Sequence, residues 1–142
     1  MCATSVQFTV ATHILAALAF HRGREVSSAI LAASVNANPS FVRKSLSKLS
    51  KAGLVVTRRG KGGATALARP LKRITLLDIY RASQAPPAFA IHSYPVEKRC
   101  LVSCNFKDCM SSALARAQGS FEKTLAKITL AQIVAELHQK RR

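Results

Sequence analysis

Residues 38–53 read NPSFVRKSLSKLSKAG, and this stretch decides the fold. Asn38 offers a side-chain oxygen as an N-cap, Pro39 takes the first helical position where its missing N–H costs nothing, and Gly53 closes the segment after Lys51. Along the helix between them, Val42, Leu46 and Leu49 form one row, while Ser40, Arg43, Lys44, Ser47 and Lys51 form another. One row packs and the other faces out. Immediately upstream, Ser27 or Ser28 can cap a short helix running through Ala33 with Ile30 and Leu31 inward, and Val35, Asn36 and Ala37 make the turn. Two short helices joined by a tight turn, the second strongly basic, predict a helix-turn-helix.

Downstream, Leu54 to Thr57 and Thr65 to Ala68 read as two strands, with Arg58, Arg59, Gly60, Lys61, Gly62 and Gly63 between them. A hairpin with a basic, flexible tip after a helix-turn-helix is a wing, and Arg or Lys at such a tip can enter a narrow, electronegative minor groove. The same glycines lack the spacing of a phosphate-binding P-loop, which sets that enzyme class aside. Upstream, Val6, Val10, Ile14 and Leu18 recur at every fourth position to Phe20, the stripe of a packed helix that Arg22, Gly23 and Arg24 end.

Beyond Arg69-Pro70, Thr75 to Asp78 reads as a capping box opening a helix through Leu76, Leu77, Ile79 and Tyr80. Gln84 to Arg99 carries Pro86, Pro87 and Pro95 without periodicity, a loop long enough to suggest function. Leu114, Ala117, Phe121, Leu125 and Ile128 then predict a long helix that needs a partner, and Thr129 to Gln132 caps a last helix with Ile133, Val134 and Leu137 apolar. The expected fold is mostly α with a small β-hairpin. It divides into a winged helix-turn-helix domain over 1–83, a cysteine-bearing sensor loop over 84–110, and a dimerisation helix with a C-terminal helix over 111–142.

Composition narrows the function. A chain of 142 residues is too short for a barrel or doubly wound enzyme, and 49% hydrophobic residues rule out disorder. Lys and Arg outnumber Asp and Glu by 22 to 6, so the net charge of +16 calls for a polyanionic partner, nucleic acid first. No Asp or Glu falls between Val26 and Ile74, whereas an idle surface mixes both signs, so the outer row of the basic helix is expected to meet DNA. Six carboxylates, none paired at helical spacing, argue against an enzyme. The apolar run Phe8 to Phe20 is too short to span a bilayer, and no Lys or Arg precedes it as in a signal peptide, which predicts a cytoplasmic protein. The competing class is a basic architectural or RNA-binding protein without sequence specificity or sensor.

In the cytoplasm Cys100, Cys104 and Cys109 are ligands or redox thiols rather than structural disulfides, with Lys98, Arg99 and Lys107 supplying countercharge. An iron-sulfur or zinc site needs four ligands, so a fourth would come from His92, Asp108, Glu97, Cys2, a partner chain or an exogenous molecule. Thiol redox or electrophile sensing needs no fourth group, and an incidental role stays open. His13 and His21 read as helix residues without a ligand role, and Cys2 as incidental at a terminus.

Leu46 to Arg69, with Ala52-Gly53-Leu54-Val55, Arg59-Gly60-Lys61-Gly62-Gly63 and Leu67-Ala68-Arg69-Pro70, followed by Ile74-Thr75-Leu76-Leu77-Asp78-Ile79 and the late Ile128-Thr129-Leu130, resembles the IscR, NsrR and CymR family of bacterial winged-helix transcription regulators, the Rrf2 type. The resemblance covers nearly the whole chain. It implies a homodimer paired through the long helix and reading a pseudo-palindromic operator, and an iron-sulfur cluster of the 2Fe-2S or 4Fe-4S type or a redox thiol in the cysteine segment; a repressor is the expected kind of regulator. Ala64 and Thr65 stand where relatives often have a further Gly and an aromatic, Cys100-x3-Cys104-x4-Cys109 is tighter than in iron-sulfur members, and Ser112 occupies the place of one branch's His ligand. Another branch, with a lone loop cysteine, is similar at Phe8, Ala11, His13, Ile14, Leu15 and Cys100. The DNA contacts expected are Ser40, Arg43, Lys44, Ser47 and Lys51 on the helix and Arg58, Arg59 and Lys61 on the wing.

Overall fold

The computed structural model describes residues 5–22, 24–58 and 63–140. Within them the order is α1 (Gln7–Phe20), α2 (Ser28–Val35), α3 (Pro39–Lys51), β1 (Val55–Thr57), β2 (Thr65–Leu67), a 3-10 turn (Leu71–Arg73), α4 (Leu76–Ala82), α5 (Leu101–Lys127) and α6 (Leu130–Gln139). The fold is mostly helical with one antiparallel hairpin, and no described helix is long and apolar enough to cross a membrane.

The helix ends follow from their sequences. Ser27 accepts a hydrogen bond from the Ile30 amide at the start of α2, and Asn38 accepts one from the Ser40 amide with Pro39 behind it. Asn36 adopts the left-handed conformation (φ 60°, ψ 44°) between the two helices, a conformation Asn tolerates better than most residues. Gly53 does the same after α3 (φ 76°). Both expected capping boxes form, Thr75 with Asp78 and Thr129 with Gln132.

Ile14, Leu15, Leu31, Val42, Leu49, Leu54, Ile74, Ile79 and Leu130 are fully buried in one core that α1, α2, α3, α4 and α6 enclose. Each such side chain contributes roughly 1.5–3 kcal/mol by leaving water. The segments Ile74-Thr75-Leu76 and Ile128-Thr129-Leu130 meet antiparallel: Leu76 N–H donates to the Ile128 carbonyl and Leu130 N–H to the Ile74 carbonyl, both at 2.8 Å. That pairing returns the chain after α5 to the winged body, where α6 packs on α1. Thr65 N–H donates to the Val26 carbonyl at 2.8 Å, which fixes β2 to the strap before α2.

Several expectations need correction. Val6 precedes α1 and is exposed, so the apolar stripe begins packing only at Val10. Ile30 is 47% exposed, because so short a helix buries only the face carrying Leu31 and Ala32. α2 continues to Val35 rather than Ala33, since nothing before Asn36 breaks it. Leu137, apolar in the sequence, is exposed, and Leu130 and Val134 carry the packing of α6. The largest difference is α5, which begins at Leu101, not Ser111. The irregular loop therefore ends at Cys100, and Cys104 and Cys109 are helical. No Gly or Pro lies between Pro95 and Gly119 to stop the helix, and the Cys100 sulfur supplies its cap.

Candidate nucleic-acid interface and cysteine segment

α3 presents its polar row as the sequence predicts. Ser40, Arg43, Lys44, Ser47 and Lys51 are all exposed, while Val42 and Leu49 are buried and Leu46 half-buried behind them. The Arg43 guanidinium donates to Ser40 Oγ at 3.2 Å, a short tether that leaves its remaining N–H groups free to face a groove. Lys48 is half-buried beside the row. The helix thus offers cations and hydroxyls on one side and no carboxylate, a surface suited to phosphates and base edges.

The hairpin stands beside this helix in register Val55↔Leu67, Val56↔Ala66 and Thr57↔Thr65. Arg58 is exposed past the end of β1, and its N–H donates to the Ala64 carbonyl at 2.8 Å. Arg59 and Lys61, the other two expected wing contacts, lie outside the described residues, as does Cys2.

Arg69 has a role that charge reading alone misses. Its Nη2 donates to the Ala52 carbonyl at 3.3 Å, and its Nη1 lies 3.9 Å from Asp78 Oδ2, so it links the end of α3 to the start of α4 across the base of the hairpin. The signal was present in the Arg-Pro that leaves β2 and in the capping Asp78, but which cation would meet that carboxylate is decided only by the fold. Tyr80 is the second missed residue. Its ring sits edge-on to Phe8 and Phe121, each 5.4 Å away. Its hydroxyl donates to the Pro86 carbonyl at 2.6 Å and accepts from Gln118 Nε2 at 3.1 Å, while Gln118 Oε1 accepts from Ala88 N–H at 3.0 Å. One side chain therefore joins α1, α4, α5 and the loop.

The cysteine segment is built differently from the expectation. The loop lies along the first turns of α5: Glu97 N–H donates to Ser103 Oγ at 2.8 Å, Lys107 Nζ donates to the Tyr94 carbonyl at 2.7 Å, and the His92 ring stacks on Phe106. Cys100, Cys104 and Cys109 are all exposed free thiols. Four residues of helix return a side chain to nearly the same face, but nine residues turn it by about 180°, so Cys109 points away from Cys100. Among the described residues no group of three or more His, Cys, Asp or Glu side chains converges to hold a metal. Of the other proposed ligands, the Glu97 carboxylate accepts from the Arg99 amide at 3.1 Å, and His92 is engaged with Phe106. The three cysteines as placed in one chain do not fit an iron-sulfur cluster, which demands ligands on one small volume.

Residues 4–136 match the Rrf2 family model, described as iron-dependent transcriptional regulators. YwnA of Bacillus subtilis (strain 168), assigned as an HTH-type transcriptional regulator, is 34% identical over 132 residues, which cover 92% of this chain and 96% of YwnA. Among solved structures, a transcriptional regulator from Lactobacillus plantarum superposes with a TM-score of 0.79 at 26% identity, covering 94% of this chain and 90% of that one. IscR of T. potens superposes with a TM-score of 0.73 at 22% identity over 99% and 92% of the two chains, a likeness of fold. A basic recognition helix, its flanking hairpin and a family match over most of the length agree: the chain belongs to the Rrf2 family of DNA-binding transcriptional regulators and is not an enzyme.

Proposed function

We propose that this regulator is a homodimeric repressor, acting in the cytoplasm, that recognises a pseudo-palindromic operator and adjusts its affinity through the cysteines of α5. The observation that carries the DNA reading is the exposed row of α3, with Ser40, Arg43, Lys44, Ser47 and Lys51 on one face in a stretch without a carboxylate. Arg43 reads a base, since a guanidinium can bridge guanine O6 and N7, and Arg58, Arg59 and Lys61 follow the adjacent backbone or minor groove.

Support for the dimer comes from α5. Of its 27 residues only Leu125 is buried, and Leu114 borders an open apolar cleft of about 400 Å³ between the helix and Pro87 to Ile91. A second α5 laid across that face would remove Leu114 and the cleft from water. Dimer symmetry then sets the two half-sites about 34–36 Å apart.

Footprinting with the full-length protein tests the reading: a discrete, dyad-symmetric protected site is expected, and continuous coating without a boundary would return the architectural alternative. Sensing by redox state or nitric oxide predicts that operator affinity differs among reduced, oxidised and nitric-oxide-treated protein. Equal affinity in all three leaves a constitutive DNA-binding dimer. An iron-sulfur cluster would have to draw Cys109 or further ligands from a rearranged α5 or a second chain, and it predicts brown anaerobic protein that Ser at any of Cys100, Cys104 or Cys109 bleaches.

A further inference from the structure

Cys100 and Cys104 occupy one turn at the start of α5, and both are exposed. Cys100 has extended backbone (φ −105°, ψ 117°), and its Sγ accepts the Ser103 amide at 3.5 Å, in the place where a Ser or Asp oxygen ordinarily caps a helix. Cys104 N–H donates to the Cys100 carbonyl at 3.0 Å. Its Sγ turns back toward the helix start, donating to the Lys98 carbonyl at 3.5 Å and lying 3.8 Å from the Glu97 carbonyl. Both sulfurs therefore gather around the same turn. Residues four apart on a helix hold their Cβ atoms about 5–6 Å apart. Two bonds of about 2.3 Å from sulfur to a pyramidal trivalent centre, set at roughly a right angle to each other, hold the sulfurs about 3.4 Å apart. A rotation about χ1 closes the difference, and Cys100, outside the helix proper, has room for it.

Cys109 does not share this geometry, being five residues past Cys104, about 140° round the helix and about 7.5 Å along it. No third His, Cys, Asp or Glu converges on the pair among the described residues. The site therefore suits a centre that two sulfurs satisfy, rather than a cation that needs four protein ligands.

We propose that Cys100 and Cys104 form a two-thiol capture site for trivalent, thiophilic metalloid compounds of the organoarsenical class, with Cys109 outside it. In the reaction with an arsenoxide, two As–S bonds form and the arsenic–oxygen bonds break. The two thiol protons leave on that oxygen as water. Arsenic stays trivalent, so no oxidant or reductant is consumed. Capture removes the Cys100 sulfur from the Ser103 amide and the Cys104 thiol from the Lys98 and Glu97 carbonyls, loosening the turn to which Glu97 is bound through Ser103 Oγ. The site deepens the sensing reading but stands on the geometry of α5 alone, so its test needs no DNA.

Reduced full-length protein is treated with phenylarsine oxide in excess glutathione, a monothiol that strips singly bound arsenic, and its intact mass is measured. The expected product carries one phenylarsenic group less two hydrogens. Iodoacetamide should then alkylate two of the four cysteines. Cys109→Ser and Cys2→Ser should keep the adduct, while Cys100→Ser and Cys104→Ser should lose it. Peptide mapping of the unsubstituted adduct gives the same decision without relying on a variant. Parent protein that takes no stable adduct, arsenic mapped to Cys109, or an adduct that survives Cys100→Ser or Cys104→Ser would overturn the proposal. Operator binding unaffected by the adduct would instead remove only its link to regulation.

Discussion

Arg43 stands at the fifth position of α3, held by Ser40 and backed by buried Val42, so its guanidinium is presented by a helix that cannot rotate without exposing the core. Arg43→Ala should therefore cost about 1 to 3 kcal/mol of operator affinity and relax preference at one base pair, measurable by competition binding against a panel of single-base operator variants. Unchanged affinity and preference would mean that another residue of the row reads the bases. Lys61→Ala should behave differently, weakening all sequences alike and lowering the slope of log K against log salt by about 1, because a phosphate contact carries no sequence information. Tyr80 acts inward. Tyr80→Phe keeps both ring contacts and removes the hydrogen bonds to Pro86 and Gln118, so urea unfolding should show a loss of about 1 kcal/mol with the helix content unchanged.

Elements differ in how local their causes are. α2, α3, α4 and α6 were legible because their caps are local: a Ser, Asn or Thr side chain reaches an amide two or three residues on, and no distant residue enters the decision. Thr75→Ala should on that account cost about 1 kcal/mol, and Thr129→Ala a similar amount, both read as shifts in the denaturation midpoint. The start of α5 was not legible in the same way, since a cysteine is not an expected cap and the cysteine-bearing residues 101–110 read as part of the sensor loop before them. The apolar cleft that Leu114 borders carries an element-scale prediction. Sedimentation should give a mass of about twice 15.3 kDa, and Leu114→Glu should yield a folded monomer that binds the operator at least tenfold more weakly. A parent protein that stays monomeric at micromolar concentration would remove the two-half-site reading.

At the scale of the whole molecule, the pairing of Ile74-Thr75-Leu76 with Ile128-Thr129-Leu130 and the Tyr80 network clamp both ends of the path from the winged body into α5. A change in the first turns of α5 is in this way connected through Gln118 and Tyr80 to α1 and α4, and a coupling of about 1 to 3 kcal/mol would suffice for a 5- to 150-fold change in operator affinity. Replacing Gln118 by Ala should uncouple the two: thiol modification would still occur, but its effect on operator binding, read by fluorescence anisotropy, should fall by at least half.

The sequence alone determined the helix-turn-helix, the hairpin, both capping boxes and the polar row of α3, because each depends on periodicity or on a side chain and an amide a few residues apart. It also determined the sign of the partner, since charge is additive and needs no fold. Tertiary structure alone decided that Arg69 rather than a neighbouring cation meets Asp78, that Tyr80 joins four segments, and that Ile30 faces water while Leu31 does not. It also separated Cys109 from Cys100 and Cys104. Three cysteines within ten residues are neighbours in any loop that can curl around a ligand, but on a helix each residue turns the next by about 100°, and that fixed rotation leaves two sulfurs on one face and sends the third to another.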